Sequence, residues 1–260
     1  MQFRFRDADL YYEDYGAGVP LLCLSAFPFD RRMWREQRAL GDVARLLTAD
    51  YRGIGGSALT PGPYTMDILA DDMMALLDHA DVKQAVVLGD SMGVYVAFSL
   101  LERHPERVRA VVFTDSRAEA DTPEQAERRQ VTADGLRSEG TGVLRARVDD
   151  LFAATTRRLR PELVDEMQTQ VAGMNAEGLA WLALGMGLRH DRRALLPRIA
   201  VPALLLCGEE DTVSPPAGMQ AMADAIPNAD FHLIPHAGHL APLEQPEVFN
   251  RHVRAFLATV

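Results

Sequence analysis

The sequence is poor in the residues that disulfides, Schiff bases and membrane spans require. Among its 260 residues there are only two cysteines, Cys23 and Cys207, and both lie inside apolar runs, where a free buried thiol is the usual state. Lys83 is the only lysine, and its place in a polar turn makes it a poor Schiff-base candidate. No segment reaches the roughly 18 consecutive apolar residues of a membrane helix. We therefore expect neither disulfides nor a membrane span.

Basic residues are in deficit as well. The chain has 37 acidic and 27 basic residues and a formal net charge of −10, whereas a surface for nucleic acid or anionic lipid needs clustered positive charge. Residues 1–6 lack the apolar core of a signal peptide. These features predict a cytoplasmic protein that binds neither nucleic acid nor membranes.

Short apolar runs alternate with helical periodicity, which predicts a mostly parallel sheet with helices on both faces. Eight runs have the character of strands, namely residues 2–6, 10–15, 20–25, 45–50, 85–88, 110–114, 203–207 and 230–234. Strand signals stop between residues 117 and 193, and helical patterns near 142–156, 161–174 and 176–190 replace them after a capping box at residues 122–125. We predict an α/β core of residues 1–116 and 194–260, with a helical cap of residues 117–193 inserted after strand six.

The pentapeptide Gly89-Asp90-Ser91-Met92-Gly93 joins an apolar strand to an apolar helix. A serine in so short a turn needs a strained backbone, and only small neighbours leave room for it. Its hydroxyl would project above the carboxyl end of the strand, beside the helix N-terminus, where developing negative charge is stabilised. Taken alone, the pattern also fits a glycine-containing turn with a helix-capping serine.

Two later loops carry the groups that would activate such a serine. A serine hydroxyl is a weak nucleophile that needs a base, and the base needs an orienting carboxylate. The acidic residues 209–211 follow the strand at 203–207, and His236 and His239 follow the strand at 230–234. All of them lie at the carboxyl edge of the predicted sheet, where functional groups gather. Asp115, which follows strand six, is a second candidate for the acid.

The chain order serine, acid, histidine resembles that of the α/β-hydrolase fold family, of the lipase and esterase type. Residues 50–57, Asp-Tyr-Arg-Gly-Ile-Gly-Gly-Ser, resemble the family's D-x-R-G-x-G-x-S loop, and residues 238–247 resemble its histidine loop and the start of its last helix. The resemblance covers essentially the full chain and implies an α/β-hydrolase fold with an eight-stranded, mostly parallel sheet. It implies that Ser91 is the nucleophile, His239 the base and Asp211 the acid.

Three other interpretations of these motifs are set aside. His236 and His239 have the spacing of metal ligands, but their loop has no glutamate partner and is not a helix. Residues 53–58 nominally fit a dinucleotide fingerprint, but the prolines at 61 and 63 prevent the helix that must follow. Asp90 is not the nucleophile, because the elbow exposes its middle residue, Ser91. Neither a cofactor nor a metal is implied.

The loop after the third strand departs from the family. Where the family often has His-Gly, residues 25–28 are Ser-Ala-Phe-Pro. An oxyanion hole uses backbone donors, so we predict that the N–H groups of Met92 and Phe27 form it. Ala26 replaces the glycine of the family, and we expect it to restrict this loop and to narrow the acyl pocket.

Further candidates for contacts with substrate are aromatic or basic. Trp34 follows the oxyanion loop and Trp181 lies in the insertion, and either could border the pocket or pack in the core. Arg157, Arg158 and Arg160 could attract a substrate carboxylate, although a solvated helix end explains them more simply.

The sequence predicts a serine hydrolase that cleaves a small carboxylic ester, lactone or thioester through an acyl-serine intermediate. The resemblance to enol-lactonase-like and haloperoxidase-like members keeps a cofactor-free perhydrolase and a C–C bond hydrolase open as alternatives. An amidase or aminopeptidase would need an acidic cap, and the near-balanced charge of the insertion gives no support for one. A ligand-binding protein that keeps the fold without turnover is the alternative outside enzymes. The natural substrate and the oligomeric state, a homo-oligomer included, stay open.

Overall fold

One sheet of eight strands runs through the computed structural model, which describes all 260 residues. The strands are β1 (Gln2–Phe5), β2 (Ala8–Gly16), β3 (Val19–Leu24), β4 (Ala44–Ala49), β5 (Ala85–Asp90), β6 (Val108–Thr114), β7 (Ala203–Gly208) and β8 (Ala229–Ile234). Their order across the sheet is β1-β2-β4-β3-β5-β6-β7-β8. Strand β2 is antiparallel to both β1 and β4, and every other neighbouring pair is parallel. The predicted eight-stranded, mostly parallel sheet is therefore confirmed.

The burial of each strand explains its sequence pattern. All six residues of β5 and all six of β7 are buried, as expected for central parallel strands that are covered on both faces. The first half of β2 instead alternates between fully and partly buried residues, which is typical of a strand with one covered face. The carboxyl ends of β5, β6, β7 and β8 lie side by side, so the loops that follow them meet at one edge of the sheet.

Ten α-helices complete the chain. They are α1 (Met66–His79), α2 (Met92–Arg103), α3 (Pro123–Glu139), α4 (Arg145–Asp150), α5 (Ala154–Leu159), α6 (Pro161–Ala172), α7 (Ala176–Gly187), α8 (Pro216–Asp224), α9 (Ala241–Glu244) and α10 (Pro246–Leu257). Short 3₁₀ helices occupy Arg31–Leu40, Pro105–Arg107, Thr141–Leu144 and Leu196–Arg198. None of these helices has the length and apolarity that crossing a bilayer would require.

Helices α3 to α7 occupy the chain between β6 and β7, where no strand occurs. Helix α3 begins at the predicted capping box, in which the Thr122 hydroxyl accepts the Gln125 N–H and the Gln125 side chain accepts the Thr122 N–H. This reciprocal pairing satisfies two backbone donors that would otherwise lack partners at a helix start. The division into a core and a cap at residues 117 and 193 stays a prediction.

The helix predicted near residues 142–156 is wrong as a single element. The structure divides it into the 3₁₀ turn at Thr141–Leu144, helix α4 and the start of α5, with residues 151–153 between the two helices. The physical reason is that the backbone there binds another loop. The carbonyl of Leu151 accepts the N–H of His239 at 2.8 Å, and the N–H of Ala153 donates to the carboxylate of Glu244 at 2.9 Å. This carbonyl and this N–H therefore do not form the hydrogen bonds of a continuous helix.

Candidate active site

Ser91 occupies a strained turn between β5 and α2. Its backbone has φ +51° and ψ −109°, a region that residues with a side chain rarely adopt. A Cβ atom at Gly93 would overlap the backbone carbonyl that ends β3, and a Cβ at Gly89 would lie 2.7 Å from the carbonyl carbon of Gly93. The N–H of Ser91 donates to the carbonyl of Thr114 at 2.9 Å, and the Ser116 hydroxyl donates to the Ser91 carbonyl at 2.8 Å. Small neighbours and these two bonds hold the turn in its strained conformation.

A chain of hydrogen bonds connects Ser91 to a histidine and an aspartate. The Ser91 Oγ lies 2.7 Å from Nε2 of His239, and Nδ1 of His239 lies 2.8 Å from Oδ2 of Asp211. The other oxygen of Asp211 accepts the N–H groups of Val213 at 2.7 Å and Ser214 at 3.0 Å. Because a carboxylate can only accept, the imidazole proton belongs on Nδ1, which leaves the Nε2 lone pair facing the serine hydroxyl.

The rival acid and the rival histidine do not take part in this chain of hydrogen bonds. One carboxylate oxygen of Asp115 accepts the N–H of Gly208 at 2.7 Å and the other accepts the N–H of Ala241 at 3.3 Å. Asp115 therefore braces two loops of the site and does not contact His239. The side chain of His236 is exposed to solvent. The structure thus brings Asp211 and His239 together with Ser91, and leaves Asp115 and His236 outside this chain of hydrogen bonds.

Asp115, Cys207 and Asp211 form the one group of buried side chains with ligand atoms close enough to hold a metal, within 4.8 Å of one another. Both carboxylates are already committed to backbone N–H groups, and Asp211 is also committed to the imidazole. Burial and the neighbouring carboxylates raise the pKa of the Cys207 thiol above its usual value, which disfavours the thiolate that a metal would bind. These three residues are therefore poorly suited to metal binding.

Asp90, which precedes the serine, is fully buried, and neither of its carboxylate oxygens has a hydrogen-bond partner. Burial raises its pKa well above the usual value, and the nearby charges of Asp115, Asp211 and Glu244 raise it further. Folding therefore shifts Asp90 toward its protonated form.

Glu244 is a residue of the site that the sequence did not single out. Its carboxylate accepts the N–H groups of Gly238 at 2.9 Å and Leu240 at 3.2 Å, on either side of His239, and that of Ala153 at 2.9 Å from the insertion. It is buried, and burial raises its pKa despite these bonds. Glu244 fixes the histidine loop and ties the insertion to it. Its place in the first turn after the histidine motif was the only signal in the sequence.

The two predicted oxyanion donors both have free N–H groups. The N–H of Met92 opens helix α2, where backbone donors lack partners within the helix, and neither this group nor the N–H of Phe27 donates a hydrogen bond within the protein. The loop that carries Phe27 is fixed by a bond from the N–H of Phe29 to the carbonyl of Ala26 at 2.8 Å. Phe27 lines the same cavity as Ser91.

A cavity of about 290 Å³ opens above Ser91 and His239. Its apolar wall comes from both the sheet side and the insertion, and consists of Phe27, Tyr95, Leu144, Val148, Leu151, Met186 and Val213. Its charged wall contains four arginines, Arg117, Arg128, Arg129 and Arg147, and two acids, Asp121 and Asp150. The sequence contains many arginines and offered no periodic signal that would have selected these four.

The three residues predicted to contact substrate do not line this cavity. Ala26 is buried within its loop, and Trp34 is buried behind that loop with its indole N–H donating to the Ser25 hydroxyl at 3.1 Å. Ser25 therefore takes part in packing the oxyanion loop. Trp181 is half-buried on α7, packs against Gly62, and has the guanidinium of Arg137 stacked over its ring at 4.4 Å.

Comparison with known proteins gives matches along almost the whole chain. A family described as alpha/beta hydrolase fold matches residues 19–246. The 3-oxoadipate enol-lactonase 2 of Acinetobacter baylyi is 30% identical over 256 residues, which is 97% of this chain and 94% of that protein. A thermophilic esterase from Thermogutta terrifontis, solved with malate bound, is 39% identical with a TM-score of 0.95, over 97% of this chain and 94% of the other. The enol-lactonase of Burkholderia xenovorans LB400 is 28% identical with a TM-score of 0.91, over 99% and 100% of the two chains.

Proposed function

Because the chain belongs to the α/β-hydrolase fold family and is a hydrolase, we propose that it cleaves a small carboxylic ester or lactone through an acyl-serine intermediate. The observation that carries the proposal is the pair of short hydrogen bonds from Ser91 to His239 and from His239 to Asp211. The similarity to an esterase and to two enol-lactonases supports this substrate class.

In the first step His239 acts as the base. Its Nε2 takes the proton of the Ser91 hydroxyl as Oγ attacks the carbonyl carbon of the substrate. Asp211 keeps the imidazole in the tautomer that can accept this proton, and it stabilises the imidazolium that forms. The burial of both side chains strengthens this interaction, because water does not screen it.

The negative charge that develops on the carbonyl oxygen is bound by the N–H groups of Phe27 and Met92. The imidazolium of His239 then protonates the leaving alcohol, or the ring oxygen of a lactone, and leaves the acyl group on Ser91. A water molecule activated by the same histidine releases the acid and restores the serine.

Residues 117–193 act as a cap in this proposal. Helices α3, α4 and α7 contribute Arg129, Val148 and Met186 to the cavity wall, so the insertion shapes the pocket and limits the access of water. The esterase, at 39% identity, and the two enol-lactonases favour ester and lactone hydrolysis over the perhydrolase alternative, although proteins named as non-heme bromoperoxidases, at 29% identity, are also among the similar proteins. The C–C bond hydrolase alternative stays open.

The replacement of Ser91 by alanine tests the proposal. We expect Ser91→Ala to lower the kcat for p-nitrophenyl acetate and butyrate by about 10⁴-fold or more, with an unchanged circular dichroism spectrum. Ser99→Ala is the matched control, because Ser99 lies two turns along α2 and its hydroxyl donates to Asp67 away from the cavity. A folded Ser91→Ala protein that retains wild-type turnover would contradict the assignment.

A further inference from the structure

The cavity above Ser91 carries more positive than negative charge. Arg117, Arg128, Arg129 and Arg147 line it, against the two acids Asp121 and Asp150. The chain as a whole is acidic, with 37 acidic and 27 basic residues. A cationic cavity in an acidic protein is therefore a local feature of this site. We call these four residues the cavity arginines.

Both acids of the cavity already have other partners. The carboxylate of Asp121 lies 3.1 Å from Nε of Arg129 and 2.6 Å from a guanidinium nitrogen of Arg189, and its side chain is 2% exposed. The carboxylate of Asp150 is mostly exposed and lies 3.9 Å from Arg157. Asp121 is therefore shared by two arginines, and Asp150 is directed toward solvent. Neither acid forms an ion pair with the remaining cavity arginines.

The other cavity arginines form no ion pair in the protein. Arg147 donates to the neutral hydroxyl of Thr132 at 2.7 Å, and no carboxylate lies within 4 Å of Arg147 or Arg128. Arg117 differs from these two, because it donates to the carbonyl of Val213 at 2.5 Å. It thereby supports the loop whose N–H groups bind the carboxylate of Asp211, which gives it a structural role. Neither Arg128 nor Arg147 binds that loop.

Arg147 is held in an environment that disfavours its own charge. Burial, and then the charges of Arg129 and Arg128, lower the pKa of Arg147 below the usual value for arginine. Arg147 is half-buried and Arg128 is exposed. Their like charges repel one another, and an anion bound between them would remove this repulsion. The planar guanidinium group also matches a carboxylate in two parallel hydrogen bonds, which gives arginine its preference for that ligand.

We propose that the substrate carries a carboxylate remote from the scissile carbonyl, and that Arg147 together with Arg128 binds it. This inference rests on the proposed function, because it names the substrate class of the same site. The carboxylate lies against helices α3 and α4, and the carbonyl lies at Ser91. The apolar side chains of Leu144 and Val148 contact the short carbon chain between them. A cavity of about 290 Å³ suits a compact molecule of this kind.

Two pairs of esters test the inference, because the members of each pair differ only in an isopropyl group that replaces the carboxylate. Monomethyl glutarate is compared with methyl 5-methylhexanoate, which tests a carboxylate on the acyl side. The acetate ester of 4-hydroxybutanoate is compared with 4-methylpentyl acetate, which tests the alcohol side. Acid release is followed by pH-stat titration, and the readout is the ratio of kcat/KM for the anionic ester to that for the neutral ester.

We expect the wild-type ratio to exceed ten in at least one pair. Arg147→Met and Arg128→Gln should each lower that ratio about tenfold, since each removes a charge-assisted contact to the carboxylate. Arg147→Lys should have a ratio between those of the wild type and Arg147→Met, because the lysine keeps the positive charge and loses the two parallel hydrogen bonds. Arg145→Gln is the matched control, because Arg145 is on the same helix, is exposed and does not line the cavity. It should leave the ratio unchanged.

Competitive inhibition by a dicarboxylate tests the same contact without turnover of these esters. Glutarate should inhibit the hydrolysis of p-nitrophenyl acetate by the wild type, with an inhibition constant about tenfold higher in Arg147→Met. A ratio of ten or less in both ester pairs, or equal inhibition of the two proteins, would overturn the inference. If neutral esters are still hydrolysed in a Ser91-dependent manner, only the carboxylate inference fails. If Ser91→Ala hydrolyses them as the wild type does, the proposed function fails.

Discussion

The replacement of Asp211 by asparagine gives a prediction whose direction follows from the hydrogen bonds of one side chain. Oδ1 of Asp211 accepts two backbone N–H groups, from Val213 at 2.7 Å and from Ser214 at 3.0 Å. An amide nitrogen in that position would face two donors, so the amide oxygen of asparagine must take it. The NH₂ group is then directed at Nδ1 of His239.

This orientation fixes the wrong tautomer of the imidazole. With a donor at Nδ1, that nitrogen must accept, and the ring proton moves to Nε2, 2.7 Å from the Ser91 hydroxyl. His239 can then no longer take the serine proton. An aspartate-to-asparagine change with intact geometry lowers kcat by about 10⁴-fold, or about 5.5 kcal/mol of activation free energy at about 1.36 kcal/mol per tenfold. The assay is the kcat for p-nitrophenyl acetate, with the melting temperature as a check on folding.

Asp115→Asn is the matched control for Asp211→Asn. Asp115 is equally buried and close in space, but it binds the N–H groups of Gly208 and Ala241 and not the histidine. We expect this variant to lose stability, because an amide can accept only one of these two bonds, and to keep kcat within about tenfold of the wild type. The reasoning is refuted if Asp211→Asn retains more than a tenth of the activity while Asp115→Asn loses it.

Three further changes test the packing that supports the site. Asp90→Asn should raise the free energy of unfolding at pH 8. The protonated acid of Asp90 stabilises the native state fully below an unfolded pKa of about 4, and this stabilisation is lost as the pH rises through the higher folded pKa. The urea midpoints of the wild type and the variant should therefore converge near pH 4. Arg52→Met should lower the free energy of unfolding, measured by urea denaturation, by about 3–5 kcal/mol. Arg52 donates to the buried carboxylate of Asp72 at 2.6 and 2.7 Å, and the variant leaves this carboxylate without a counter-charge. Gly93→Ala should abolish soluble expression or lower the melting temperature sharply, because its Cβ would overlap a backbone carbonyl of β3. Gly218→Ala is the control: a Cβ at this position on α8 meets no atom within 4 Å, so the variant should have an unchanged or higher melting temperature.

The residues around Ser91 that could be predicted are those encoded by local motifs. Ser91 lies in a strand-turn-helix pattern, and Asp211 and His239 each follow an apolar strand. Because parallel strands place their carboxyl ends at one edge, three loops that are distant in sequence could be expected to meet. The sequence therefore predicted that the side chains of Ser91, His239 and Asp211 lie together, as they do in the structure. The role of the Met92 and Phe27 N–H groups as an oxyanion hole stays a prediction.

The residues that could not be predicted are those whose neighbours depend on how the insertion packs. Arg147 acquires its environment, and Glu244 its bond to Ala153, only when helices α3 to α7 lie above the sheet edge, and no local pattern specifies that arrangement. Arg160 was a sequence candidate for carboxylate binding, yet it donates to the carbonyl of Glu244 at 3.0 Å and does not line the cavity. Trp34 was a sequence candidate for either the pocket border or core packing, and its burial and its bond to Ser25 place it in the core behind the loop.

The most direct test of the account is the identity of the residue that becomes covalently modified. Diethyl p-nitrophenyl phosphate phosphorylates an activated serine, and mass spectrometry of the digested protein locates the added group. We predict one diethyl phosphate per chain, on Ser91, with activity lost in proportion to labelling, and no labelling of His239→Ala. Complete labelling of Ser91 with full retention of esterase activity, or complete inactivation with the label on another residue, would contradict the account.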